Sequence, residues 1–346
     1  MLAEILPKIA AMENREYDFR PRPSLAGPER CIRQMVFWGM GVPRAPMPGR
    51  AIMVFDDSSW HEELTADWLR KTAYKFHSQQ MPVQCRAPMG KGLIDGIVTD
   101  IEGVDRLLEH KAISHFSFQR LWEGSLVWEK PLPMDYLTQT AIYLDGLQKI
   151  NPEIEEGILL AKNKNTAQYV EYRIKYSWDS LGLIEIVNSQ GERREINTLI
   201  PNIYQSAIDK FNEVMARIAE RKLPKRQYGM DDWHCKYCGW YGECWKNYEQ
   251  EFNDLPVDVV LDDGIAEKCK RYKELGEAEK EKKELSKELK ALMVEKEARK
   301  ARAGEYIISR SLQKRKDLDK ELIPADVLAQ AEKESMFEKL TVSKGK

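Results

Sequence analysis

The chain has 346 residues, with 54 Lys and Arg against 56 Asp and Glu, and so a net charge of −2. With 42% hydrophobic and 32% charged residues, it can fill a large core plus a second module. The near-neutral total excludes a uniformly basic nucleic-acid coat, while leaving room for a basic groove on an acidic surface. No apolar run is long enough for a membrane span, and Met1–Lys8 lacks the basic-then-apolar pattern of a secretory leader.

In chain order, residues 13–30 are polar and Pro-rich and read as extended. Cys31–Trp38 reads as a short buried helix ending near Gly39 and Gly41. Asp56-Asp57-Ser58-Ser59 reads as a helix start, because Ser59-x-x-Glu62 fits a capping box. That helix is expected to run to about Tyr74, with His61 in its first turn. Residues 92–98 and 106–111 flank a turn at Glu102-Gly103, a hairpin pattern. Asp135 is expected to cap a helix through Ile150, stopped by Asn151-Pro152. Strands follow at 156–161 and 168–176, then an amphipathic helix over 203–221. The order predicts a mixed α/β fold.

Composition shifts after about Leu255. Residues 265–300 are dense in Glu and Lys, with Tyr272, Leu275, Leu285, Leu289 and Leu292 at helical spacing. One charged helix of roughly 50 Å is expected, docked by that stripe. Gly304–Ser309 resembles a strand, and Pro324 is expected to open a last helix. The expected domains are therefore 1–256 and 257–346.

Four of the six cysteines form a pattern. Cys235-x2-Cys238-x5-Cys244 presents three sulfurs from one loop, and Cys31 can complete a quartet. Four thiolates suit an iron–sulfur cluster or structural Zn²⁺, and spacing alone leaves both open. His234 is a possible substitute ligand, while Cys85 and Cys269 read as small buried hydrophobes.

The hairpin carries the candidate chemistry. Glu109 and Lys111 are two apart and share one strand face, and the turn sets Asp95 opposite position 110, give or take one. Two carboxylates held that close repel unless a cation lies between them, and such oxygen donors suit Mg²⁺ or Mn²⁺. Lys111 can orient a water or offset charge on a phosphoryl group. His61, kept neutral by a helix N-terminus, can join as a ligand. Gln139 and Tyr143, four apart, share a helix face and can hydrogen-bond a phosphate or a catalytic side chain. Lys162 and Lys164 are placed for contact with a phosphate backbone. Phe118, Trp122 and Trp128 read as core, with base stacking as the alternative.

His61, Gly92-x-x-Asp95, Glu109-x-Lys111 and Gln139-x3-Tyr143, in that order, resemble the PD-(D/E)xK nuclease superfamily, in its RecB-like branch. Cys31 before that core and Cys235, Cys238 and Cys244 after it are similar to the iron–sulfur subset. This subset includes CRISPR-associated RecB-like exonucleases, the AddB nuclease domain and phage YqaJ-like recombination nucleases. The likeness covers roughly residues 20–248, and the tail loosely resembles YqaJ-type proteins.

The resemblance implies a restriction-endonuclease-like core, a mixed sheet flanked by helices, with an iron–sulfur staple and a mostly helical C-terminal extension. It implies Mg²⁺ or Mn²⁺ held by Asp95, Glu109, His61 and the His110 backbone carbonyl, with Lys111 acting on the attacking water. Gln139 and Tyr143 would position the lysine and the strand, and the four cysteines would hold 4Fe–4S, favouring iron over zinc. The implied activity is a DNA exonuclease of phage or prokaryotic recombination and repair, cytoplasmic, working on DNA ends beside an annealing protein or helicase. A CRISPR-adaptation trimming nuclease and a non-catalytic DNA-end-binding scaffold are the alternatives. No membrane association is expected.

Overall fold

A computed structural model describes residues 2–13, 18–126, 132–275, 279–318 and 332–344. The chain groups into two compact units, one of residues 1–42 and 46–222, the other of 43–45 and 223–346. The division therefore falls after Lys222, whereas composition pointed to 256, so the cysteine run belongs with the C-terminal elements.

The first unit opens with helix α1 (Leu2–Met12), a 3-10 turn (Pro23–Leu25), α2 (Ile32–Gly39) and α3 (Gly49–Leu69). Then come β1 (Lys75–His77), β2 (Pro82–Gln84), β3 (Lys91–Leu93), β4 (Gly96–Thr99) and β5 (Asp105–Ile113). Helices α4 (His115–Leu126) and α5 (Met134–Gln148) cross to β6 (Glu156–Asn163). Strands β7 (Tyr169–Ser177), β8 (Ser180–Asn188) and β9 (Arg193–Pro201) precede α6 (Ile203–Glu220). The seven-stranded sheet has the order β1-β4-β5-β6-β7-β8-β9. It is mixed: β5 and β6 run parallel across the helical crossover, while the other neighbours are antiparallel. The α/β class expected from the sequence is present, a large mixed sheet flanked by helices.

Helix α5 is buried without a break from Leu137 to Leu147, the pattern of a helix enclosed on all sides. Its Leu137, Ile142, Leu144 and Leu147 join Leu107 of β5 and Leu159 of β6 among the deepest side chains.

Several local expectations change. Helix α3 begins at Gly49, so Ser59 lies in mid-helix and caps nothing. Ser58 Oγ donates back to the Val54 carbonyl, the option open to a serine inside a helix. His61 is thus not in a first turn, and the dipole argument for its neutrality fails. Asp135 stands in the first turn of α5 but does not cap it: its carboxylate accepts from the Glu29 amide at 2.9 Å and pairs with Arg30 at 3.0 Å. Strands β8 and β9, absent from the sequence reading, complete the sheet.

The second unit contains α7 (Trp233–Lys236), α8 (Tyr241–Trp245), α9 (Tyr248–Asn253) and β10 (Val259–Leu261). It continues with α10 (Asp263–Glu274), α11 (Glu279–Glu295), β11 (Lys300–Ala303), β12 (Tyr306–Leu318) and β13 (Glu332–Lys344). The strands form a sheet in the order β10-β11-β12-β13. The single 50 Å helix is not formed; two helices take its place. Ion pairs Lys268–Glu288 at 2.6 Å and Arg271–Glu281 at 3.1 Å run between them in reversed order, as in an antiparallel pair. The expected helix from Pro324 lies outside the described residues. Strand β11 alternates exposed Lys300 and Arg302 with buried Ala301 and Ala303. No helix among the described residues is long and apolar enough to cross a membrane.

Candidate active site

Gly96 pairs with Leu108 across the hairpin, and Asp95 therefore falls opposite Glu109, within the expected margin. β4 ends there while β5 continues, leaving the His110 amide without a strand partner. Asp95 Oδ2 supplies one, accepting from the His110 N–H at 2.7 Å. In an extended strand the N–H and C=O of one residue point to the same edge, so the His110 carbonyl opens on the Asp95 side. Gly92 is set by packing: a Cβ there would stand 2.4 Å from Tyr143 Cε1 and 3.3 Å from Pro23 Cγ. Only glycine lets the Tyr143 ring lie against this strand.

Glu109 is fully buried, 0% exposed. Its Oε1 takes the Lys111 ammonium, and its Oε2 is buried with no hydrogen-bond partner. Burial pushes the Glu109 carboxyl up to about 8, with Lys111 opposing and Asp95 and Glu62 adding to the rise. Burial likewise raises Asp95, against the pull of Lys111 and the His110 amide. For Lys111, burial is the largest single influence and is unfavourable to charge, but Glu109 and Asp95 outweigh it, and the ammonium is held above its ordinary range. Lys111 Nζ also lies 5.7 Å from the Tyr136 ring centroid.

Glu62 of α3 belongs to this group, although its sequence context suggested only a cap. Burial, then Asp95, raises its carboxyl to about 7 against the opposing pull of Lys111. Gln80 Nε2 donates to it at 3.2 Å. Three carboxylates and one lysine therefore share a single electrostatic neighbourhood. The signal in the sequence was spacing: a helix start nearer Gly49 turns Glu62 inward with Thr65 and Ala66.

Gln139 and Tyr143 share the buried side of α5, with Gln139 Nε2 donating to the Tyr143 hydroxyl at 3.4 Å. Burial, then Glu109, holds the Tyr143 hydroxyl far above its ordinary pKa, so it remains a neutral donor.

His61 is surrounded by a different set of charges. Burial, then Lys162 and Lys164, lower its pKa, while Asp57 opposes. Its Nδ1 is buried without a partner. His110 projects to the same side: its Nε2 is 3.1 Å from Thr65 Oγ1, which donates to the His61 carbonyl and lies 3.0 Å from the Tyr169 hydroxyl. Burial, Lys162 and Lys111 push His110 down to about 3. Lys162 is buried, and Lys164 Nζ donates to the Val54 carbonyl at 2.9 Å and Ser58 Oγ at 2.6 Å.

In the first unit Cys31 stands at the N-cap of α2. In the second, the Cys238 amide donates to the Cys235 carbonyl at 3.0 Å, and Cys235 and Cys244 pack on a cluster of Met230, Trp245, Tyr248 and Phe252. Arg226 braces the loop, donating twice to the Cys244 carbonyl (3.2 and 2.7 Å) with its guanidinium 4.7 Å from the Trp245 and Tyr248 ring centroids. None of the six cysteines is in a disulfide. Burial pushes the Cys85 and Cys269 thiols up to about 11, as expected of small hydrophobes. His234 Nδ1 bonds Asp232 at 2.7 Å.

Among the described residues, no three His, Cys, Asp or Glu side chains are gathered closely enough to hold a metal ion as they stand. At the carboxylate site the Lys111 ammonium occupies one oxygen of Glu109. The orphaned Oε2 and the shared rise in three carboxyl pKa values are nonetheless what a divalent cation would relieve. The donor set therefore fits a hard ion.

No protein-family profile matches the chain, and no curated protein matches it. Among solved structures, one described as "Crystal structure of SSO0001" is similar at 16% identity, covering 69% of this chain and 94% of that one, with a TM-score of 0.34.

Proposed function

We propose that the chain is a divalent-metal-dependent deoxyribonuclease that hydrolyses phosphodiester bonds at DNA ends. One observation carries this reading: a fully buried glutamate with an unpartnered oxygen, beside a second carboxylate on the neighbouring strand end and a lysine on its own strand face. Burying acids beside one another is costly, and sites that bear the cost are commonly those that bind an ion or do chemistry. Asp95, Glu109 and the His110 carbonyl would hold Mg²⁺ or Mn²⁺, with Glu62 as the ligand from α3. The charges that act on His61 are Lys162, Lys164 and Asp57, and this reading does not need it as a ligand.

The bound ion would supply charge neutralisation and a water of lowered pKa. Lys111 remains protonated, so its part is electrostatic: it donates to the attacking water or to a non-bridging phosphate oxygen, and does not abstract a proton. Tyr143, kept neutral, donates through its hydroxyl and is held by Gln139. The attacking water gives up a proton to solvent as its oxygen forms the new bond to phosphorus, the bridging ester bond breaks, and the leaving oxygen takes a proton from solvent.

By the family resemblance, Cys235, Cys238 and Cys244 would supply three ligands of a structural 4Fe–4S cluster. Three half-buried thiols on one braced loop support that part of the reading, and zinc remains the chemical alternative. The test is digestion of end-labelled DNA with Mn²⁺. Asp95→Ala and Lys111→Ala should each slow it by at least about a hundredfold. Digestion at the parent rate by either variant overturns the assignment.

A further inference from the structure

The α3-facing side of the sheet holds a cation that the carboxylate chemistry does not use. Lys162 pairs in register with Ala112, which puts its side chain on the His110 face of the sheet and away from Glu109 and Lys111. It is 2% exposed, yet among the described residues no carboxylate lies within ion-pair distance of it. Its Nζ lies 5.6 Å from the Tyr169 ring centroid. A buried ammonium without a counter-charge is costly, and buried charges are ordinarily paired.

The groups around it are donors or neutral. Lys164 sits at the half-exposed rim, its ammonium turned to Ser58 and Val54 of α3. His61 Nδ1 is buried and unpartnered. The acid that faces the group is Asp57, exposed on α3.

We propose that Lys162, Lys164 and His61 form a binding site for a phosphate group, with His61 Nδ1–H and the two ammonium groups as donors. Strand register places Lys162 on the α3-facing side of the sheet, and Lys164 is bonded to Ser58 of α3, about one turn before His61. The assignment of the site to a phosphate of a nucleic-acid strand rests on the nuclease reading above, and free phosphate is the other source of the same chemistry. The site also explains why His61 carries an unpartnered nitrogen.

The test is thermal unfolding of the full chain in metal-free buffer containing EDTA, with inorganic phosphate against chloride at matched ionic strength. Phosphate should raise the midpoint by roughly 2 °C or more. Lys162→Met should abolish that increment while leaving the phosphate-free midpoint unchanged or higher, because it removes an unpaired buried charge. A lysine serving only the fold would instead lower the phosphate-free midpoint. Lys164→Gln, at the rim, should reduce the increment and guards against a misfolded Met variant.

The source is settled by oligonucleotide binding without metal. A loss of about tenfold or more in Lys162→Met assigns the phosphate to a strand, and 5′-phosphoryl against 5′-hydroxyl strands tell an end from an internal position. Unchanged strand affinity with an intact phosphate increment in the parent assigns it to free phosphate. No phosphate increment in the parent, or one that survives Lys162→Met, overturns the site. Neither result bears on metal-dependent digestion, which Asp95→Ala tests separately.

Discussion

Binding of a divalent cation at the carboxylate cluster should expel protons, and the number follows from the site. With Glu109 near 8 and Glu62 near 7, at pH 7 the first is about nine-tenths protonated and the second about half. An ion that needs both as carboxylates therefore releases about 1.4 protons per site at pH 7, and about 0.3 at pH 8.5. The sign is fixed: a raised acid pKa means that ion affinity climbs as pH rises, and levels off above about 8. The same shift means that without an ion the fold loses stability as pH climbs from the ordinary glutamate value through about 8, because the unfolded chain's glutamate ionises over that range while the buried Glu109 keeps its proton. Calorimetric titration of Mn²⁺ in buffers of different ionisation enthalpy measures the count. Glu109→Gln should lower it to about half a proton and weaken binding at least tenfold. Release near zero at pH 7 in the parent, or a count unchanged by Glu109→Gln, would refute the reasoning.

Other consequences are local. Gly92→Ala would drive a methyl group into the buried Tyr143 ring and should cost about 1–3 kcal/mol in chemical denaturation, with a further fall in any nuclease activity; an unchanged midpoint would mean that the ring yields freely. Arg226→Met removes two donors from the Cys244 carbonyl and a cation between two aromatic rings, and should destabilise the protein by about 2–4 kcal/mol, read in the same way. Anaerobically purified protein should be brown, with the broad visible absorption of an iron–sulfur cluster; Cys238→Ser should bleach it, and Cys85→Ser should not. A colourless parent holding zinc would move the cysteines to the other metal.

The hairpin was legible because period-two alternation and a short turn leave little freedom in register: Asp95 opposite Glu109 follows once Glu102-Gly103 is read as the turn. Gln139 and Tyr143 were equally readable, since helical spacing brings residues four apart together. Glu62 was not, because Asp-Asp-Ser-Ser is also a good helix start, and local preference lost to the packing of α3 along β5. With the start misplaced, His61 looked like the residue aimed at the acids. Lys162 and Lys164 were readable as a pair suited to phosphate, but a lysine ending an apolar strand gives no sign of how deeply it will be buried. The charged stretch after residue 262 kept a helical period throughout, and nothing in that period shows where a helix will double back and pair with itself.

The cation itself gives the most direct test. Crystals soaked in Mn²⁺ and measured at a wavelength where manganese scatters anomalously should show a peak bounded by Asp95, Glu109 and the His110 carbonyl, with Glu62 turned toward it. A strong peak elsewhere in the molecule, with these carboxylates still bound only to Lys111 and the His110 amide, would contradict the account.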